Sequence, residues 1–341
     1  MQKYFFFGVM IIYVMNSTAM EQPRQLYGDE ISLYSQGRPV TKLIMDDVNQ
    51  SIYISENDAV MESIKKLDMR FGKELHTFEQ ERVYQRNNVH SHLGPLFTDV
   101  VCYQEMIMVG TERGEIKIWN VHSKNFVKTL TVQDKKVRDL AILKTTNKLC
   151  SVLNKGIKIW DMGKGICEKD IGNDYYSGFS RGCIVKNGII YVADTSKVSA
   201  IDEKSDNIKE LLKMDCGWGI RAIADNENNS HQVFVSILNE IMEFDIRNFN
   251  LAKPVSTIKS NDYGVSALRV FDGKLYVGRL SETVWLFYKR PYSGIEIFDI
   301  KNMVNPEIVL PGKGVVNHLG VNRQGVFVAS EQGLTYFPAL K

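Results

Sequence analysis

"GTERGEIKIWNVHSKNFVKTL", residues 110 to 130, decides the fold. A polar turn leads into an alternating strand that ends on Trp119. A polar corner follows, then a second short strand ending at Leu130. A hairpin of this size cannot bury its own apolar face in water, so it needs neighbours of the same kind. The sequence supplies them. An apolar residue followed by Asp, Asn or Pro recurs at Leu67-Asp68, Trp119-Asn120, Trp160-Asp161, Ile201-Asp202, Phe244-Asp245, Phe298-Asp299 and Phe337-Pro338. Successive spacings are 52, 41, 41, 43, 54 and 39 residues, a period near 40 with two insertions.

Two further patterns run in phase with the first. Upstream of each turn a β-branched or aromatic run closes on a small residue: Ser55, Gly110, Ser151, Ala193, Ser236, Gly278 and Ala329. Upstream of that lies a strand with apolar-x-x-apolar spacing, starting at Val40, Phe97, Val137, Phe179, Ile220, Val265 and Val316. Each unit is thus a meander of four short strands, a to d. Such sheets bury both faces only against like neighbours, and radial packing of them is a β-propeller. The predicted fold is all-β: a seven-bladed β-propeller of four-stranded antiparallel blades. The blades span about 40–78, 97–130, 137–171, 179–212, 220–258, 265–310 and 316–341. The last unit lacks a strand d. Leu33 precedes Val40 by the same interval that separates Leu130 from Val137, so residues 25–35 are expected to complete the seventh blade and close the ring.

"GEIKIWN" and "KGIKIWD" resemble the tryptophan-aspartate strand of the WD40-repeat family. The resemblance covers residues 25–341 in pattern, with strong motifs in the second and third blades alone. The family's glycine-histidine dipeptide is missing, His92 being its one substitute, and other residues replace the tryptophan in the remaining blades. The sequence is identified as a divergent member. The resemblance implies a platform for protein interactions, and other seven-bladed families remain open.

The chain has 341 residues, 44% hydrophobic and 24% charged, with a net charge of +2. That is an ordinary soluble balance, and the near-neutral charge argues against bulk electrostatic binding of nucleic acid. Residues 1–19 have the layout of a signal peptide: Lys3, an apolar run from Tyr4 to Met15, and Ser17 and Ala19 before a cleavage point. The run is too short to span a bilayer comfortably, so an exported, monomeric chain with no membrane span is expected. If the segment is not a signal, the protein is cytoplasmic. Five cysteines, Cys102, Cys150, Cys167, Cys183 and Cys216, form no C-x-x-C motif and are read mostly as buried thiols. Asn49-Gln50-Ser51 and Asn228-Asn229-Ser230 are glycosylation sequons that matter in a eukaryotic host.

No catalytic constellation stands out. "GFSRG" at 178–182 fits a nucleophile elbow, but Ser180 falls on a strand with no helix after it. The glycine pairs at 217–219 and 312–314 open no helix and read as turns. The six histidines are scattered, so no metal site and no cofactor are expected. The two residues after each strand-a start face the central channel: Thr41-Lys42, Thr98-Asp99, Arg138-Asp139, Ser180-Arg181, Arg221-Ala222, Ser266-Ala267 and Asn317-His318. Lys42, Arg138, Arg181, Arg221 and His318 are the candidate channel-mouth residues. Their excess over Asp99 and Asp139 suggests a modest preference for anions.

The insertions carry the interaction hypothesis. Gly278 to Phe298 holds twenty positions where other blades need eight or nine. The added stretch includes Trp285, Phe287, Tyr288, Lys289, Arg290 and Tyr292, residue types enriched in binding hot spots. A second insertion precedes Phe97, and a third lengthens the b–c loop of the first blade around "ENDAVMES". In a propeller these connections share one face. The expected function is a non-catalytic scaffold that binds a protein or peptide through that face. The alternative is an exported propeller enzyme, of hydrolase or lactonase type, with its site at the channel mouth.

Overall fold

The computed structural model describes residues 31–34, 39–57, 61–82, 97–132, 136–154, 156–171, 180–194, 197–204, 208–213, 220–238, 240–247, 254–259, 264–279, 294–311 and 315–339. The expectations placed on residues 1–19, 83–96, 217–219, 281–293 and 312–314, and on His92 and Cys216, fall outside them.

β1 (Ile31–Tyr34) belongs to the last blade. The first blade is β2 (Val40–Asp46), β3 (Ser51–Asn57), β4 (Met61–Asp68) and β5 (Glu74–Arg82). The second is β6 (Phe97–Tyr103), β7 (Met106–Thr111), β8 (Glu115–Asn120) and β9 (Phe126–Thr131). The third is β10 (Val137–Leu143), β11 (Lys148–Leu153), β12 (Ile157–Asp161) and β13 (Ile166–Ile171). The fourth is β14 (Ser180–Lys186), β15 (Ile189–Asp194), β16 (Lys197–Asp202) and β17 (Ile208–Lys213). The fifth is β18 (Ile220–Asp225), β19 (Gln232–Ile237), β20 (Glu240–Asp245) and β21 (Ser256–Lys259). The sixth is β22 (Val265–Phe271), β23 (Lys274–Arg279), β24 (Gly294–Asp299) and β25 (Ile308–Pro311). The seventh is β26 (Val316–Asn322), β27 (Gly325–Ser330) and β28 (Gly333–Pro338), completed by β1. All seven sheets are antiparallel meanders. Each inner strand lies beside the next, and β26 beside β2, so the ring closes.

Local chemistry accounts for the meander. The first two strands of the fourth and sixth blades are joined by Asn187-Gly188 and Asp272-Gly273, all four residues at positive φ. That is the two-residue hairpin turn whose twist matches its strands. The recurring Asp or Asn after strand c has an equally plain role. Its side chain accepts backbone N–H groups two or three residues on, turning the corner into strand d. Asp68 binds Arg70 and Phe71, Asn120 binds His122 and Ser123, and Asp161, Asp202, Asp245 and Asp299 each hold one such amide.

Among the described residues the buried apolar side chains form no single central core but fall into seven clusters, each lying between two adjacent blades. The closing seam is one of them. Val40, Leu43, Ile52, Ile54 and Leu67 of the first blade meet Phe327, Ala329 and Leu334 of the last, with Leu33 packed against them. Burying one such side chain stabilises by about 1.5–3 kcal/mol. β1 pairs with β28 through Ile31↔Tyr336 and Ser32↔Thr335.

Register corrects three details of the sequence reading. "ENDAVMES" is chiefly a longer hairpin rather than a loop, because Glu56 pairs with Ser63 and Asn57 with Glu62. In the third blade Val152, not Ser151, occupies the small-residue slot, since Asp139 pairs with Val152 where Asp99 pairs with Gly110. Ser151 sits where other blades carry Val or Ile, and it accepts the Trp160 indole N–H at 2.9 Å. In the fourth blade the inner strand starts at Ser180, one residue later than Phe179.

Candidate functional site

Every inner strand carries the same irregularity. Register shifts between Val40 and Lys42, Phe97 and Asp99, Val137 and Asp139, Ser180 and Gly182, Ile220 and Ala222, Val265 and Ala267, and Val316 and His318. Each is a β-bulge: one residue unpaired, the strand bent and the following side chain re-aimed. Thr41, Thr98, Arg138, Arg181, Arg221, Ser266 and Asn317 occupy the bulges. The residues after them set the channel mouth. In ring order they are Lys42, Asp99, Asp139, Gly182, Ala222, Ala267 and His318. The fourth blade's mouth pair is therefore Arg181-Gly182, not Ser180-Arg181, because the strand is shifted by one.

The ring order separates chemistry from space. Blades seven, one, two and three contribute an imidazole, an ammonium and two carboxyls. Blades four, five and six contribute Gly182, Ala222 and Ala267. Gly182 is also demanded by packing, as a Cβ there would stand 2.8 Å from Ile223. Between the two arcs lies a cavity of about 440 Å³, lined by residues from all seven inner strands. Further along the inner strands its lining mixes Met45, Val101, Ile184, Ala224, Phe271 and Val321 with the charged Asp47, Asp225, Glu227 and Arg269.

The charged arc is tightly wired. Lys42 Nζ lies 3.1 Å from Asp99 Oδ1. The backbone N–H of Leu140 donates to Asp99 Oδ2 at 2.7 Å and to Asp139 Oδ1 at 3.0 Å. Asp139 and Asp99 also share a side-chain hydrogen bond. Both carboxyls are buried, and two adjacent buried carboxyls do not ionise together. Burial opposes ionisation of Asp99, but the Lys42 charge and the bonds from Asp139 and Leu140 hold it below the usual carboxylate range. Burial and the Asp99 charge push Asp139 well above that range. Asp139 is therefore the proton donor and Asp99 the ionised acceptor. Burial alone would lower Lys42, yet Asp99 and Asp139 raise it. On the other flank Asn317 Nδ2 donates to Val40 O at 2.9 Å across the closing seam. His318 lines the cavity with Nδ1 buried and without a hydrogen-bond partner. Burial, with Lys42 nearby, pushes its imidazole down to about 3, so the ring is neutral.

The candidate mouth residues thus divide. Lys42 and His318 line the cavity; Arg138 and Arg221 stand on the bulges outside its wall. Arg138 Nη1 lies 3.2 Å from Glu112, which also holds Lys136 at 2.9 Å. Arg221 Nε is buried without a hydrogen-bond partner. The Arg181 side chain lies outside the described residues, as do Trp285, Phe287, Tyr288, Lys289, Arg290 and Tyr292. The roots of the inserted segments are described. Arg279 ends β23 opposite Val265, the first residue of β22, so residues 280–293 leave the sixth blade at the channel mouth. Residues 83–96 rejoin at Phe97, on the same side. Both lengthened hairpins carry a buried ion pair: Glu56 with Lys65 at 2.8 Å in the first blade, and Arg279 with Glu296 in the sixth. Sequence reasoning missed both pairs. Their signal is a charge directly after the small residue of strand b, answered by an opposite charge on strand c.

Among the described residues no three His, Cys, Asp or Glu side chains gather as metal ligands. No helix there is long and apolar enough to cross a membrane. A crystal structure of the WD40 repeats of RRP9 superposes on this chain with a TM-score of 0.70, covering 93% of this chain and 99% of that one at 13% identity. The fold is that of a WD40-type propeller. No protein-family model matches the sequence, and no curated protein matches it. In the third blade alone does an indole close a bond to strand b among the described residues, through Ser151.

Proposed function

We propose that the protein is an exported, non-catalytic scaffold that binds a protein or peptide through the face where the inserted segments emerge. The observation that carries this reading is the division of the channel mouth, a wired charged arc facing a small-residue arc across a cavity of about 440 Å³. That space admits a side chain or chain end of a partner, while the rim supplies area around it. The partner contacts are assigned to Trp285, Phe287, Tyr288, Lys289, Arg290 and Tyr292 of the inserted stretch on their residue types, which are those enriched in binding hot spots. Lys42 and His318, which line the cavity, are assigned to the same site, with Arg138 and Arg221 on the bulges beside it and Arg181 included from its place in the sequence. WD40-type propellers serve mostly as interaction platforms, which supports the same reading. The test is affinity capture from the native compartment with the intact chain and with a variant whose 281–293 segment is shortened. A partner held by both to the same extent, with thermal unfolding unchanged, sinks the loop's role.

One observation favours a second reading. A carboxyl pair with one member protonated and the other ionised is an acid–base arrangement. An enzyme predicts turnover of ester, lactone or glycoside substrates that Asp139→Asn abolishes while the chain stays folded. A scaffold predicts none.

A further inference from the structure

We propose that Cys150 and Cys183 are a redox pair that closes a disulfide between the third and fourth blades. Cys183 lies on β14 and lines the channel cavity. Cys150 lies on β11 in the neighbouring blade and is fully buried behind it. The two side chains approach each other across the seam: Cys183 packs against the cluster of Ala141, Leu143, Val152, Ile190 and Val192 that contains Cys150, and the two thiols are close enough to influence each other's ionisation. Both are free thiols in this structure. One sulfur is thus reachable from the channel, and the other waits close behind it.

A small-molecule disulfide such as oxidised glutathione supplies the chemistry. The Cys183 thiolate attacks one sulfur of the reagent, breaking its S–S bond and releasing one thiolate. Cys150 then attacks the Cys183 sulfur of the mixed disulfide and releases the second. The protein loses two electrons and two protons; the reagent gains them as two thiols. The groups facing Cys183 are Cys150, Asp139 and Asp99. The neighbouring Cys150 thiol, burial and the two carboxyls all raise the Cys183 thiol well above its usual range. Exchange through a thiolate is accordingly slow at neutral pH and quickens as pH rises.

The experiment incubates the native full-length chain with oxidised glutathione at pH 7 and pH 9, then maps disulfides by peptide mass spectrometry. Cys167 is exposed and serves as the internal gauge of reagent activity. The expected result is a 150–183 cross-link that forms faster at pH 9, is reversed by dithiothreitol, and raises the denaturant midpoint of the oxidised chain. A Cys183→Ser variant should lose the cross-link while Cys167 still reacts. Complete modification of Cys167 at pH 9 with no 150–183 cross-link in the native chain overturns the proposal. A mixed disulfide that persists at Cys183 does so equally.

Discussion

Replacing Lys42 by methionine removes the ammonium that balances Asp99 while keeping most of the side chain's bulk. Asp99 is left ionised at a buried site, with only Asp139 and the Leu140 amide to hold it. Removing one partner of a buried ion pair costs about 3–5 kcal/mol. Lys42 keeps 28% of its side chain exposed and Asp99 only 8%, so water softens the loss. A decrease of about 2–3 kcal/mol in unfolding free energy is expected near neutral pH. The sign with pH follows from Asp99. Its folded pKa is depressed, so its contribution is present above the unfolded value of about 3.9 and lost as pH falls through the folded value. Without Lys42 the carboxyl takes up a proton more readily. The variant's deficit should therefore be largest near neutral pH and shrink toward the carboxylate range. Urea unfolding at pH 7.5 and 4.5 reads both quantities, and Asp99→Asn in the same chain should recover most of the loss. A deficit below about 0.5 kcal/mol, or one that does not change between the two pH values, refutes the reasoning.

Further outcomes are expected elsewhere in the ring. Ser151→Ala leaves the buried Trp160 indole N–H without its acceptor and should cost about 1–2 kcal/mol by urea unfolding. Gly278→Ala places a Cβ 2.6 Å from Val316 Cγ1 across the sixth–seventh blade seam. It should cost about 1–3 kcal/mol by thermal denaturation, with partial recovery on adding Val316→Ala. Asp139 has a raised folded pKa, so the wild type loses stability as pH climbs from the unfolded carboxyl value toward the folded one. Asp139→Asn should therefore gain on the wild type as pH rises from about 4 to about 7, measured by the urea midpoint.

The repeat was legible because its physics is local. An Asp or Asn that caps the c–d corner must sit at one place in every blade, and six of the seven units keep it. The apolar-x-x-apolar spacing of the inner strands is odd for a structure of period two, and the bulge explains it. Val40 and Leu43 face the same seam only because Thr41 drops out of the ladder. Where a polar residue stands at the first apolar position, as Ser180 does, the phase was misread by one. The wiring of Lys42, Asp99 and Asp139 could not be read, because the three come from three blades and meet through ring geometry alone. Cys150 and Cys183 were hidden for the same reason. Each looks like an ordinary small hydrophobe in its own strand.

The seventh sheet draws one strand from near the start of the chain and three from its far end. Ile31 and Leu334 are separated by about 300 residues of translation, roughly 15–60 s at about 5–20 residues per second. Throughout that interval the growing arc keeps a blade face exposed at each of its two ends, and β1 waits without its partner strand. A nascent chain is thus a partial wheel with a sticky gap. Its hazard is capture of the wrong strand before the ribosome delivers the right one.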